Sequence, residues 1–286
     1  MQKSERGTMN GGGRLRIGGA CISFCILTFA FCVSAAAADP PKRLLLLSQK
    51  PDGHPPGTHE YAPGQRLLAA LLKDVPGLQV EVVAADGDWP EGPELLAKAD
   101  GAVLFVSEGA KWVNADPRRY EAFAQLAQRG GGLSAYHWGT GTKDAANIEP
   151  FVRLFGASHG GPDRKFRVVD VRLTPAAPQH PILTGVGPID LHEEFYFKLK
   201  RNTSASDALT PLVTVRIDDA DEMVGWALER GDGGRGFGFT GLHFHDNWQR
   251  PEYRRLMTQG VLWTMKLPIP KDGVNVEMPE ELLKLK

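Results

Sequence analysis

The side chains in this 286-residue chain whose types and spacing could do chemistry are mainly histidines, and they fall in three places. His137 closes the stretch Gly130-Gly131-Gly132-Leu133-Ser134-Ala135-Tyr136 and is followed by Trp138 and a loop with Gly139 and Gly141. Leu133 to Tyr136 reads as a short buried strand, and open parallel sheets bind ligands just beyond the carboxyl ends of such strands. His243 and His245 stand two apart, so an extended chain would project both rings to one side. Metal sites use this spacing, with imidazole nitrogens as ligands. His54 and His59 lie in a loop rich in Pro and Gly after the first predicted strand. Glu193 and Glu194 could add a carboxylate, as ligand or as general base.

Acid–base chemistry is the expectation, with His137, His243, His245 and Glu194 as catalytic residues. The alternative is a divalent metal such as zinc, held by His54, His59, His243 and His245. Each histidine could instead be a separate hydrogen-bonding residue. Trp138, Tyr196 and Trp248 offer flat faces on which sugar rings stack, and core packing accounts for each equally well. Glu108, ending the third predicted strand, and Lys143, beyond the glycine loop, complete the expected substrate contacts.

Other motifs fail on context. Gly231-Asp232-Gly233-Gly234-Arg235-Gly236 matches G-x-G-x-x-G but sits in a hairpin, with no helix N-terminus to receive a pyrophosphate. Gly141-Thr142-Lys143 lacks the earlier glycine of a phosphate loop. Ser134 lies mid-strand and is not a nucleophile elbow.

The elements that must position these residues alternate. Leu44 to Leu47 form an unbroken apolar run, as suits a strand buried on both faces. A helix from Tyr61 to Lys73, strands at 78–84 and 101–106, a short helix at 94–99, and a helix from Asp116 to about Arg129 follow. This βαβ pattern predicts a flavodoxin-like, doubly wound, mostly parallel sheet with helices on both faces. Ile148 to Phe155 reads as a helix. Additional strands are expected at 167–173, 191–199, 212–217, 223–229 and 236–242, then a helix at 251–265.

Lys3, Arg6, Arg14 and Arg16 precede an apolar run from Ile17 to Val33 and an alanine-rich exit, the anatomy of a signal peptide over residues 1–38. One α/β domain is expected over 39–270 and a charged tail over 271–286. All three cysteines, at 21, 25 and 32, fall in the signal segment, so the mature chain has neither disulfides nor a cysteine nucleophile. Removing the segment takes the net charge from −1 to −4. With no basic block, nucleic acid is not an expected partner. No second apolar run could span a bilayer, so no membrane anchor is expected after cleavage. The localisation expected is periplasmic or secreted.

Together the glycine triplet with His137, His180-Pro181-Ile182 leading to Glu193-Glu194-Phe195-Tyr196, and Gly241-Leu242-His243 before the Trp263 helix resemble the ThuA-like (trehalose-utilisation) family. That family is a branch of the class I glutamine amidotransferase-like superfamily. Asp52-Gly53-His54 through Tyr61 and His243-Phe244-His245 are similar to a secreted bacterial subgroup. The resemblance implies a flavodoxin-like sheet and a role in sugar metabolism. Amidotransferases of this fold use a cysteine at a strand-to-helix elbow. Here the fourth strand ends in His137-Trp138, so glutamine hydrolysis by that route is excluded. The reading is an exported enzyme acting by acid–base chemistry on a carbohydrate, an ordinary or an oxidised sugar. A metal-dependent hydrolase and a non-catalytic carbohydrate-binding module are the alternatives.

Overall fold

The first strand, β1 (Lys42–Ser48), carries leucine at four consecutive positions, and both sides of the sheet use them. Leu44 and Leu46 pack into one core and Leu45 and Leu47 into the other, which is why this strand shows no polar alternation. The computed structural model describes residues 40–285. The expected signal peptide lies outside these residues.

After β1 come α1 (Tyr61–Leu72), β2 (Leu78–Ala84), α2 (Gly92–Ala97), β3 (Gly101–Phe105), α3 (Gly109–Ala115), α4 (Pro117–Gln128) and β4 (Gly132–Tyr136). Two short strands, β5 (Gly141–Thr142) and β6 (Ala157–Gly160), flank α5 (Ile148–Phe155). A long hairpin of β7 (Lys165–Pro175) and β8 (Ile189–Phe197) precedes β9 (Lys200–Arg201), β10 (Ala208–Ile217), β11 (Ala220–Glu229) and β12 (Arg235–Phe239). The chain ends with α6 (Pro251–Thr264) and a single turn, α7 (Glu280–Leu283).

Nine strands form one sheet in the order β2-β1-β3-β4-β12-β11-β10-β7-β8, and β5, β6 and β9 form a small second one. β2, β1, β3, β4 and β12 are parallel, whereas β11, β10, β7 and β8 are joined by antiparallel pairing. The sheet is therefore mixed rather than mostly parallel. The reason lies in the connections: the turns from β10 to β11 and from β11 to β12 are too short for a parallel crossover. The antiparallel half curls back, because Thr240 Oγ1, just past β12, donates to the carbonyl of Tyr196 on the outermost strand β8 at 3.0 Å.

Helices cover both faces of the sheet. Leu67, Leu68 and Leu72 of α1 pack with Leu256, Met257 and Val261 of α6. Phe123 and Leu126 of α4 pack with Phe151 and Phe155 of α5 on the other side.

One unexpected element bears on the site. A separate helix, α3, fills the space between β3 and α4. It begins directly after Glu108, whose φ of 46° makes the turn. A Cβ on Gly109 would lie 2.2 Å from the carbonyl oxygen of Gly139, so this glycine lets α3 abut the loop after His137. The expected C-terminal tail is strapped along α6. Arg254 Nε donates to the Val276 carbonyl at 2.8 Å, Val274 N donates to Gln259 Oε1 at 2.9 Å, and Val276 is buried.

Candidate functional site

Three loops at the carboxyl ends of β1, β4 and β12 meet, and each brings one imidazole. His59 Nε2 lies 3.0 Å from His137 Nε2, and His243 Nδ1 lies 3.2 Å from the same atom. The glycine triplet delivers His137 by ending α4 and starting β4 within a few residues. His59 is set beside His243 by backbone pairing, since His59 N donates to the His243 carbonyl at 3.1 Å and Thr58 bridges to Phe244. His59, His137 and Leu242 hold φ values of 51°, 45° and 79°. Left-handed backbone at non-glycine residues is strained and persists where the surroundings impose it, as at binding and catalytic sites.

Second partners fix the tautomers. His137 Nδ1 donates to the Thr240 carbonyl at 2.9 Å, and His59 Nδ1 donates to Asp52 Oδ2 at 2.9 Å. A carbonyl and a carboxylate only accept, so each ring carries its proton on Nδ1 and turns an Nε2 lone pair inward. Burial, reinforced by the neighbouring His59 and His243 rings, pushes His137 well below the usual histidine range. Burial likewise lowers His243 to about 4 and lowers His59 against the pull of Asp52. His59 and His137 thus turn the lone pairs of neutral rings towards each other, with His243 Nδ1 beside them.

Asp52 is the outer support. Burial alone would raise its pKa, but hydrogen bonds with His59, Tyr61 and His54 outweigh it and hold the carboxyl well below the usual range. Its Oδ2 also accepts from the Tyr61 hydroxyl at 2.7 Å, and its Oδ1 from His54 Nδ1 at 2.7 Å.

The hairpin supplies the remaining groups by strand alternation. On β8, Glu193 and Phe195 are buried in the interior, while Glu194 and Tyr196 face the imidazoles. Glu194 Oε1 stands 3.9 Å from His137 Nε2 and 3.7 Å from His243 Nδ1. Burial, with the adjacent Glu193 charge, pushes the Glu194 carboxyl up to about 7. The Tyr196 hydroxyl lies 3.1 Å from His137 Nε2, and its ring is stacked between His137 and His159. Burial holds Tyr196 protonated.

His59, His137, His243 and Glu194 each present a ligand atom within 4.8 Å of all the others. Tetrahedral Zn–N bonds of about 2.0–2.1 Å imply nitrogens roughly 3.3 Å apart, close to the spacing found. A histidine ligand that passes its other N–H to a carboxylate or carbonyl is the usual outer arrangement of such a centre. The donor set therefore fits a divalent ion.

Glu193 anchors the loop behind His243. Its two oxygens accept from the backbone N–H of Glu194, Leu242, His243 and Phe244, from Asn247 Nδ2 and from the Tyr253 hydroxyl, at 2.8–3.3 Å. Burial raises the pKa of this carboxyl, and those donors offset the rise only in part.

A cavity of about 210 Å³ opens onto the cluster. Trp138, Phe166 and Tyr196 supply its flat walls, His54, His59 and His159 its imidazoles, and Lys143, Arg164 and Glu194 its charges.

Several residues expected at the site lie elsewhere. His245 does not join His243, because the chain leaves extended geometry there and a 3-10 turn runs from His245 to Gln249. Its ring lines a different cavity with Arg66 and Glu281, and neither ring nitrogen has a hydrogen-bond partner among the described residues. Trp248 is buried in the α1–α6 core, edge-on to Tyr253. Glu108 Oε1 accepts from Lys143 N at 2.8 Å, and its other oxygen lies 3.6 Å from Lys111 Nζ, outside the cavity wall. His54 touches the cavity but is tied to Asp52, one shell away from the converging nitrogens. Sequence reasoning missed Asp52, Tyr61, His159 and Arg164. Only the tight spacing of Asp52, His54, His59 and Tyr61 hinted at the first two.

His159 provides a pH test. Burial, with the Arg164 charge, lowers its pKa to about 3, below the 6.5 of an unfolded histidine. Below pH 6.5 the unfolded chain takes a proton that the folded one refuses, so stability is lost as pH falls. His159→Phe is expected to flatten the stability–pH slope between pH 7 and 5 by up to about 1.4 kcal/mol per unit. Urea midpoints across that range check it, and an unchanged slope refutes it.

The fold and the converging imidazoles define a class: an α/β protein with a polar centre at the carboxyl edge of its sheet. The family model described as ThuA, trehalose utilisation, matches residues 52–264, and the chain belongs to that family. A ThuA-like protein from Bacteroides uniformis superposes with a TM-score of 0.58 at 13% identity, covering 81% of this chain and 94% of that one. A cytoplasmic protein from Salmonella typhimurium gives 0.47 at 14% identity, covering 78% and 98%. A glutamine amidotransferase from Thermotoga maritima gives 0.46 at 8% identity, covering 79% and 98%. Among curated proteins none matches the chain in sequence.

Proposed function

We propose that this ThuA-family protein is an exported enzyme of carbohydrate metabolism whose reacting centre is a divalent metal site. In this reading His59, His137 and His243 would hold the ion, with Glu194 beside them. The observation that carries it is the meeting of two lone pairs, His59 Nε2 and His137 Nε2, at 3.0 Å while both Nδ1 protons are engaged elsewhere. Two acceptors do not attract each other, and a shared cation turns that contact into a favourable one.

When bound, the ion acts as a Lewis acid on a carbonyl or hydroxyl oxygen and acidifies bound water. Glu194, beside the imidazoles, is placed to take a proton and return it within one turnover. Tyr196 stays protonated and can donate to a developing oxyanion. The cavity is smaller than the usual range for drug-sized ligands, which suits one sugar ring rather than a long chain. Its Trp138 and Tyr196 faces suit stacking against that ring. The family's description, trehalose utilisation, supports a sugar, and the chemistry favoured is hydrolysis or elimination. The leader over residues 1–38 supports a periplasmic or secreted product.

Metal analysis of purified, metal-replete protein tests the reading. About one equivalent per chain is expected, with chelation abolishing turnover on a panel of ordinary and oxidised disaccharides. Well-folded protein with no bound metal, and no rise in Tm on adding zinc or manganese, would overturn it.

A further inference from the structure

We infer that the substrate ring carries an acidic group, a carboxylate or a phosphate ester, which Lys143 and Arg164 bind at the cavity. The inference rests on the reading of the histidine cluster as the reacting centre and names the class of molecule brought to it.

The two cations are set there by the small second sheet. Lys143 follows β5, and its backbone N–H is fixed by Glu108 Oε1 at 2.8 Å. Arg164 stands just before β7, with Nη1 donating to the Gly161 carbonyl at 3.3 Å. Parallel pairing of Gly141 with His159 and Thr142 with Gly160 joins the two segments. Both side chains line the cavity that reaches His59, Glu194 and Tyr196.

Neither cation pairs with a carboxylate among the described residues. Of the acidic groups around them, Asp163 pairs with Lys200, Glu108 lies beside Lys111, and Asp144 accepts from the backbone N–H of Ala146. Most other features of this cavity are neutral. Phe166 is 56% exposed beside Arg164, and the buried His159 leaves Nδ1 without a partner. A neutral sugar would make use of neither charge. An acidic group gives them charge-assisted hydrogen bonds, which are roughly twice as strong as neutral ones. The planar fork of arginine matches carboxylate and phosphate alike. In a chain of net charge −1, two unpaired cations at one cavity would also steer an anion towards the centre.

Calorimetric titration of the mature full chain with glucuronate, glucose 6-phosphate and glucose tests this. At least one acid is expected to bind about tenfold or more tightly than glucose, a gain of about 1.4 kcal/mol. The preferred acid tells carboxylate from phosphate recognition. In the double variant Lys143→Gln/Arg164→Gln that preference is expected to vanish, and in wild type it should shrink as salt rises. Metal content and Tm are read in parallel. Equal affinity for all three compounds, no binding of any at millimolar concentration, or a preference that survives in the double variant would overturn the proposal. Protein that lacks metal yet prefers the acids would leave this inference standing and sink the metal centre alone.

Discussion

Replacing His137 by alanine is expected to strip the metal from the protein and lower turnover by about a hundredfold to ten-thousandfold. His137 Nε2 is the atom on which His59, His243 and Tyr196 all converge, so its loss removes the middle of the set. The fold should survive. The ring is wholly buried but neutral, and the lost hydrogen bond to the Thr240 carbonyl costs about 1 kcal/mol on average. His245→Ala is the matched control, being also buried and close in sequence to His243 but lining another cavity. It should keep both metal and turnover. Metal content, turnover and Tm measured on the two variants decide the matter. Metal retained in His137→Ala, or lost in a folded His245→Ala, would contradict the centre assigned here.

Glu193→Gln is expected to destabilise the protein by about 3–5 kcal/mol, because up to three buried N–H donors would lose their acceptor at about 1–3 kcal/mol each. For a domain of this size that lowers Tm by roughly 10 °C, at about 2–4 °C per kcal/mol. The amide nitrogen would face N–H donors where a carboxylate oxygen now accepts from three of them. Three of the residues tied to this carboxylate, Leu242, His243 and Phe244, form the loop that aims the third imidazole. Metal affinity should therefore fall by about tenfold to a hundredfold, as for other outer-shell losses. Glu193 touches neither the cavity nor the converging nitrogens, so it is a positioning residue. Under conditions where the variant remains folded, saturating metal should restore turnover. A variant whose turnover stays low at saturating metal would show that Glu193 acts on the reaction itself.

The sequence alone determined the frame. The apolar run of β1, the capped α4 and the glycine triplet before β4 encode local geometry through burial and backbone freedom, which near neighbours decide. Those elements placed His59 and His137 at strand ends, and the order of their motifs carried the family resemblance. Local patterning also put Glu194 and Tyr196 on one side of a strand, because alternation needs no tertiary partner.

Which histidines meet was decided by the tertiary structure. The two-residue spacing favoured His243 with His245, yet a 3-10 turn begins at His245 and sends its ring away. His243 instead meets His59, 184 positions earlier, through a single backbone bridge at Thr58 and Phe244. Nor could spacing show that the antiparallel strands curl back to bring β8 over the end of β12. That return makes Glu193 an anchor, Glu194 a cluster member and Tyr196 a ring between two imidazoles. Asp52 gains its role only when the loop folds onto His59. Side-chain convergence of this kind depends on contacts between segments far apart in the chain, where local periodicity carries no information.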